Sequence, residues 1–327
     1  MSKSTKYMKY PLKFLKLSRY RPRIIYNFAK GMLLAKIFKK RILRGLDLAV
    51  TYRCPASCVK CSAKNLIDPS RAELTIDEIL RIMNESIEMG AVHVNLTGGE
   101  AVLRNDIIDI IKRLREKPLI ISLGSCAYTL TDELLEKLKD AGLGAIQISL
   151  DSPFENEHDT EVGIKGSYKK ALAAIKKSRE LDMEVLINTV VTHEKLHSDR
   201  IEKLVNIAKE NTCFLCFILP AELGGWEGQN RALDQGDFAM IKQWLKNPHT
   251  TNELETCYSR GLCPAGSEKI YISAYGDLYP CPLIHKKHGN VLNEGLAHLW
   301  RKMSGEMGKS QCEGCLNVKT LYKQGTI

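Results

Sequence analysis

The sequence predicts an α/β fold in which a parallel sheet curls into an open or closed barrel, followed by a smaller cysteine-rich segment. Three observations carry this reading. Short apolar runs recur six times between residues 46 and 219, amphipathic helical patterns separate them, and beyond Pro220 the rhythm gives way to glycines, cysteines and turn signals. Strands alternating with helices pair in parallel through right-handed crossovers, because only that hand packs a helix back onto a twisted sheet. In a barrel of this kind the chemistry sits at the carboxyl ends of the strands.

The N-terminal stretch comes first. Residues 1–45 hold fourteen Lys or Arg and no Asp or Glu, so they account for more than the whole net charge of +10 and leave the rest mildly acidic. From Arg23 to Arg44 the periodicity is helical. Ile25, Phe28, Met32 and Ala35 share a face that Ile24, Leu34, Phe38 and Ile42 widen, while Lys30, Lys36, Lys39, Lys40, Arg41 and Arg44 supply charge. Such a segment is either an interfacial membrane helix or a helix packed on the main domain with a solvated basic face. The membrane reading leads, and it places the protein in the cytoplasm, peripheral on the anionic cytoplasmic face of the membrane. No recognised nucleic-acid module follows, so nucleic acid is not an expected partner.

The strands are expected at 46–52, 92–97, 119–123, 145–150, 185–191 and 214–219, and the helices between them at 75–89, 106–116, 131–141, 168–181 and 199–210. Thr75 and Glu78 make a capping box for the first of these helices. Thr131 is the N-cap of the third, with Asp132 and Glu133 placed against the positive end of its dipole. After a Gly-rich loop at 221–230 a further helix is expected at 235–244. A hairpin then follows, 269–273 and 278–281, turning at Tyr275-Gly276-Asp277.

At 327 residues the chain has room for about two domains, each able to bury a core. The expected division is a basic segment over 1–45, a barrel over 46–230 and a cysteine-rich α+β domain over 231–327. The sequence has no apolar run long enough to span a bilayer and no cleavable signal pattern. Eleven cysteines, an odd number, in such a chain point to metal binding or catalysis rather than a disulfide framework.

The first predicted strand runs into Cys54-Pro-Ala-Ser-Cys58-Val-Lys-Cys61. Three soft thiolates within one loop select zinc or iron–sulfur. A structural zinc site wants a fourth Cys or His, and the next histidine is His93. Three close cysteines suit a [4Fe–4S] cluster with one iron open to another ligand. This CxxxCxxC spacing resembles the radical S-adenosylmethionine (SAM) superfamily. The resemblance implies a partial (β/α)6 TIM-type barrel in which Cys54, Cys58 and Cys61 each bind one iron. SAM takes the fourth iron and is cleaved to methionine and a 5′-deoxyadenosyl radical after one-electron reduction by an external flavodoxin- or ferredoxin-type donor. Gly98-Gly99-Glu100 resembles the family motif that meets the SAM amino group, with Ala101 in place of the usual proline. Ser149 and Asp151 stand where the family has ribose contacts, Asn188 where it has another polar SAM contact, and Ser122 is a further candidate. The residue before the last cysteine is usually aromatic; here it is Lys60, whose aliphatic stem can still cover an adenine ring.

A second set, Cys263-x12-Gly276-x4-Cys281 and Cys312-Glu-Gly-Cys315, offers four more thiolates for zinc or a fully ligated [4Fe–4S] cluster. With Gly289-Asn290 and Leu299-Trp300 it resembles the twitch domain, the shortened SPASM domain. Twelve cysteine-free residues follow Cys315, so one auxiliary cluster is expected. Cys257 is a minor alternative ligand, Cys213 and Cys216 are read as core, and Cys126 as a loop cysteine.

The resemblance implies a hydrogen-abstracting enzyme. The basic segment favours a lipid or lipid-linked sugar substrate; a peptide maturase is the alternative, disfavoured because 45 residues ahead of the barrel are too few for a leader-binding module. A non-enzymatic iron–sulfur sensor is the third reading, and Glu100 argues against it, since a sensor has no use for a SAM ammonium contact.

Overall fold

The computed structural model describes residues 21–254 and 263–307. Its centre is one nine-stranded sheet. The strands are β1 (Gly45–Thr51), β2 (His93–Gly98), β3 (Ile120–Ser125), β4 (Ala145–Ser149), β5 (Glu184–Val190), β6 (Phe214–Ile218), β7 (Thr250–Asn252), β8 (Lys269–Ile272) and β9 (Leu278–Tyr279). Their spatial order is β7-β6-β5-β4-β3-β2-β1-β8-β9. Every neighbouring pair is parallel except β8–β9, the expected hairpin, which is antiparallel. Two of these strands extend the six-strand expectation in a specific way. β7 adds to the edge beyond β6, and β8 lies parallel to β1, so residues from 231 onward complete both sides of the same sheet.

Alternation along the strands builds the two faces. Leu46, Leu48, Val94, Leu96, Ile121, Leu123, Ile146, Ile148, Val185 and Ile187 are buried in the layer shared with the helices. The alternate residues Asp47, Asn95, Ser122, Gln147, Asn188 and Cys216 line a single cavity, which shows that the sheet curls into a partial barrel.

The helices are α1 (Pro22–Lys36), α2 (Ile76–Glu88), α3 (Ile107–Arg115), α4 (Asp132–Ala141), α5 (Glu155–Val162), α6 (Ser167–Glu180), α7 (His193–Leu196), α8 (Arg200–Glu210), α9 (Gln235–Trp244), α10 (Val291–Glu294) and α11 (Leu296–Met307). The capping box of α2 forms as the sequence indicates, with Thr75 N donating to Glu78 Oε2 at 2.8 Å and Glu78 N to Thr75 Oγ1 at 3.3 Å. Thr131 caps α4 through Leu134 N, 3.2 Å away.

The N-terminal helix is shorter than expected, and it packs on the main domain, the second of its two expected roles. It ends at Lys36 rather than Arg44, and Lys39 takes a left-handed conformation (φ 53°) as the chain turns toward β1. Leu43 and Arg44 are buried, with Arg44 paired to Glu268 at 3.2 Å. Ile24 is fully buried against Val92 and Ile120, with Phe28 packed beside it. Arg21 donates to the carbonyls of Arg115, Lys117 and Leu119. Phe28 reaches the cavity lining, so α1 closes the amino end of the barrel. No described helix is long and apolar enough to cross a membrane.

Candidate active site

The loop after β1 carries the three thiols to the mouth of a cavity of about 740 Å³ that runs down the barrel axis to Phe28. Cys54 is exposed, Cys58 and Cys61 are half-buried, and all three line the cavity. The loop is held by backbone on two sides. Ser57 N and Val59 N each donate over 3.1 Å to the carbonyls of Val162 and Glu161 at the end of α5. Gly225 N donates to Cys61 O at 3.0 Å from the Gly-rich loop. There a Cβ on Gly224 would lie 2.0 Å from Cys61 O, and one on Gly225 2.2 Å from Val59 O. The glycine-rich composition of 221–230 therefore serves close backbone approach to the cysteine loop, a role its sequence alone did not disclose.

A charged clamp completes the support. Lys60 Nζ lies 2.5 Å from Asp151 Oδ2 and 2.8 Å from Glu161 Oε2, and Lys195 Nζ on α7 lies 3.1 Å from the same glutamate and 3.8 Å from Asp151 Oδ1. Burial pushes against ionisation of Asp151, but the two ammoniums override it and hold the carboxyl at about 2. Asp151 Oδ1 also accepts from Val190 N at 2.9 Å. The carboxylate expected to reach a ribose is thus already engaged in fixing the cysteine loop to the end of β4. Lys195, Glu161 and the end of α5 were not singled out in the sequence, because a Lys and a Glu far apart in the chain carry no local signal.

Gly98 and Gly99 also act through chain packing. A Cβ on Gly98 would stand 1.9 Å from Thr51 O, and its φ of 136° suits glycine. Glu100 follows, fully buried. Its Oε2 accepts from Cys126 N at 2.8 Å, and burial raises its carboxyl above the ordinary range. Its Oε1 is buried without a hydrogen-bond partner. Cys126, in the loop after β3 as expected, lines the cavity, and a hydrogen bond between its thiol and that of Cys54 holds the Cys54 thiol below the usual thiol range. Burial pushes Cys58 up to about 12.

Deeper in the barrel a polar chain crosses the interior. Lys269 Nζ meets Asp47 Oδ2 at 2.9 Å, and Asn95 Nδ2 donates to Asp47 Oδ1 at 3.0 Å. Ser122 Oγ donates to Asn95 Oδ1 at 2.9 Å, and Asn188 Nδ2 donates to Gln147 Oε1 at 3.0 Å. Ser122 therefore belongs to an internal network. Asn188 lines the cavity, as Ser149 does, and its Oδ1 is buried and without a partner. Cys216, read as core, likewise points into this cavity, whereas Cys213 is packed in the apolar layer.

Cys263 and Cys281 are both half-buried, and Pro282 and Leu283, next to Cys281, line the cavity edge. Cys257, Cys312 and Cys315 lie outside the described residues. The C-terminal part is tied to the barrel by Tyr52 and Tyr271, whose hydroxyls are 2.7 Å apart, and by Arg71 Nη1 to Asp277 Oδ2 at 2.5 Å.

A parallel partial barrel with three thiols above an axial cavity that polar side chains cross is the fold and donor set of a protein that binds SAM on an iron–sulfur cluster. The residues fit such a group on two counts: the thiols line one mouth, and two buried oxygens, Asn188 Oδ1 on a cavity-lining residue and Glu100 Oε1 on one outside the lining, lack the donors that buried polar atoms require. The chain belongs to the radical SAM superfamily, whose family model matches residues 48–207, and an iron–sulfur cluster-binding domain of the SPASM type matches residues 263–316. These two domains imply a SAM-binding [4Fe–4S] cluster and an auxiliary cluster. The chain is 32% identical over 185 residues to a PqqA peptide cyclase of Bradyrhizobium diazoefficiens, covering 57% of this chain and 48% of the relative. It is 24% identical over 315 residues to an AdoMet-dependent heme synthase of Methanosarcina barkeri, covering 81% of this chain and 89% of the relative. Its fold matches Streptococcus suis SuiB bound to the precursor peptide SuiA with a TM-score of 0.69 at 18% identity, over 89% of this chain and 74% of that one. The chain spans about half the length of the peptide cyclases that it matches.

Proposed function

We propose that this protein is a radical SAM enzyme whose substrate is a peptide. The observation that carries the reading is the three-thiol loop set over a deep, largely apolar cavity into which Asp47, Asn95, Gln147 and Asn188 project. Cys54, Cys58 and Cys61 would hold the SAM cluster, while Glu100 and Asn188 would offer their unpartnered oxygens to SAM, with Ser149 beside them. Gly98 and Gly99 bring the end of β2 against the chain leading to Cys54, and Asp151, through Lys60, keeps the loop in place. When bound and reduced by an external donor, the cluster and SAM supply a radical that abstracts hydrogen. Cys263, Cys281, Cys312 and Cys315 would hold the auxiliary cluster, next to the cavity edge that Pro282 and Leu283 form.

Support for a peptide comes from the PqqA peptide cyclase relatives and from the likeness of the fold to SuiB. The lipid reading has no such support, and part of the face that suggested it, Ile24 and Phe28, is spent on closing the barrel floor. A small-molecule substrate is the second reading, favoured because the heme synthase relative aligns along most of both chains. The test incubates the reconstituted full chain, SAM and reductant with the short peptides encoded beside its gene. A covalent change in one peptide, seen by mass spectrometry and dependent on SAM, supports the reading. SAM cleavage with every such peptide left unaltered would turn the search to small molecules.

A further inference from the structure

Just beyond the carboxyl end of β5, outside the cavity lining, three side chains converge on one point. His193 and His197 stand four residues apart, at the start of α7 and just past its end, so both rings project from one face. Their ring centroids are 4.3 Å apart. His193 Nδ1 lies 2.9 Å and His197 Nε2 3.0 Å from the same oxygen, Oδ1 of Asp237 on α9. The three ligand atoms all fall within 4.8 Å of one another. Donors on a tetrahedral zinc-type ion, at bond lengths near 2.0–2.1 Å, stand about 3.3 Å apart, so small ring rotations suffice to seat an ion.

The carboxylate is placed for this use. Asp237 is 1% exposed, and among the described residues its ion-pair partners are the two imidazoles. Its other oxygen, Oδ2, accepts from Asp234 N at 3.0 Å in the capping box of α9, which fixes its orientation. Each histidine side chain remains about half exposed, so an ion and a completing water have access from solvent.

We propose that His193, His197 and Asp237 bind one divalent first-row transition-metal ion, of the zinc class, that clamps α7 to α9. Two imidazoles and a carboxylate form a nitrogen–oxygen donor set distinct from the all-thiolate sites elsewhere in the chain, and they favour such ions over magnesium or calcium. The clamp also bears on the active site, because Lys195, which reaches Glu161 and Asp151, sits between the two histidines on the same short helix.

The probe is Zn²⁺ added to the full chain with its clusters reconstituted, excess metal being removed by gel filtration. Zinc and iron are then counted, and the zinc environment is read by X-ray absorption. One retained zinc with a nitrogen–oxygen shell is expected. His193→Ala and His197→Ala should each weaken zinc binding by more than about 100-fold without changing iron content, and His197→Asp, which keeps a donor, should retain part of it. Both rings are at the surface, so these variants are expected to fold. Equal zinc in wild type and the double alanine variant, a sulfur-containing shell, or no retained zinc would each overturn the assignment and leave a hydrogen-bonded helix contact.

Discussion

The Lys60 ammonium sits 2.5 Å from the Asp151 carboxylate, joining the cysteine loop to the end of β4. Lys60 stands between two of the three thiols, Asp151 is buried and the Lys60 side chain is largely covered, so the pair sets where the loop lies rather than merely decorating it. Lys60→Ala leaves Asp151 with Lys195 alone at 3.8 Å. Because part of the charge stays compensated, the expected loss is about 2 kcal/mol, below that of fully breaking a buried pair. Denaturant unfolding of the wild-type and variant chains checks it; unchanged stability would show that Lys195 suffices.

Cys54→Ala is expected to remove one cluster's worth of iron and all 5′-deoxyadenosine formation. Cys263→Ala is expected to remove iron as well, yet to spare part of SAM cleavage while stopping product formation. Iron analysis and product assays on the same samples separate the two. If Cys263→Ala also ended SAM cleavage, the second site would be needed for the integrity of the first.

Glu100→Ala takes away the oxygen that lacks a partner and the acceptor of Cys126 N. SAM cleavage should fall by about 100-fold or more, as for loss of a charge-assisted contact of roughly 3 kcal/mol, while the cluster's visible absorption persists. Retained cleavage would mean that SAM is held by groups other than Glu100.

Helix α1 should matter to the barrel even in the absence of any membrane. Ile24→Ala leaves a cavity beneath Val92 and Ile120 and should cost about 2–4 kcal/mol, read as a lower denaturation midpoint. Anionic vesicles provide the companion measurement. The exposed Tyr26, Leu33, Ile37 and Phe38 lie among the basic residues of this stretch, so co-sedimentation that is lost when residues 1–45 are deleted would support a membrane role.

Glu253 offers a pH signature. Burial raises its carboxyl to about 7. The folded chain therefore holds a proton that the unfolded chain gives up near pH 4.3, and this stability is present at low pH and lost as pH rises through about 7. Glu253→Gln should flatten that decline and gain about 2 kcal/mol at pH 8 relative to pH 5. Urea titrations at the two pH values decide it.

Much of the barrel was legible because its strands and helices are long and strongly periodic. The edges of the six expected strands and five helices shift by only one or two residues in the structure. What was missed has physical reasons. β7 is three polar residues, Thr250–Asn252, that pair only because β6 leaves an open edge. α5 buries just His158 and Val162, so it shows little apolar stripe, yet its end holds the cysteine loop. The parallel seat of β8 against β1 depends on chain separated by more than two hundred residues, which no local pattern encodes. The thiols of the first cluster stood out because three lie in one loop. Their support did not, since Lys60, Asp151, Glu161 and Lys195 become neighbours only when the loop, β4, α5 and α7 come together.

Radical SAM chemistry in this chain is read most directly from the 5′-deoxyadenosine formed anaerobically from SAM by the reconstituted full chain, compared with Cys54→Ala under the same reductant. Turnover is expected in the wild-type chain, none in the variant, and a rise when the proper peptide is added. Equal 5′-deoxyadenosine from both chains, or none from a wild-type chain carrying its full iron, would contradict it.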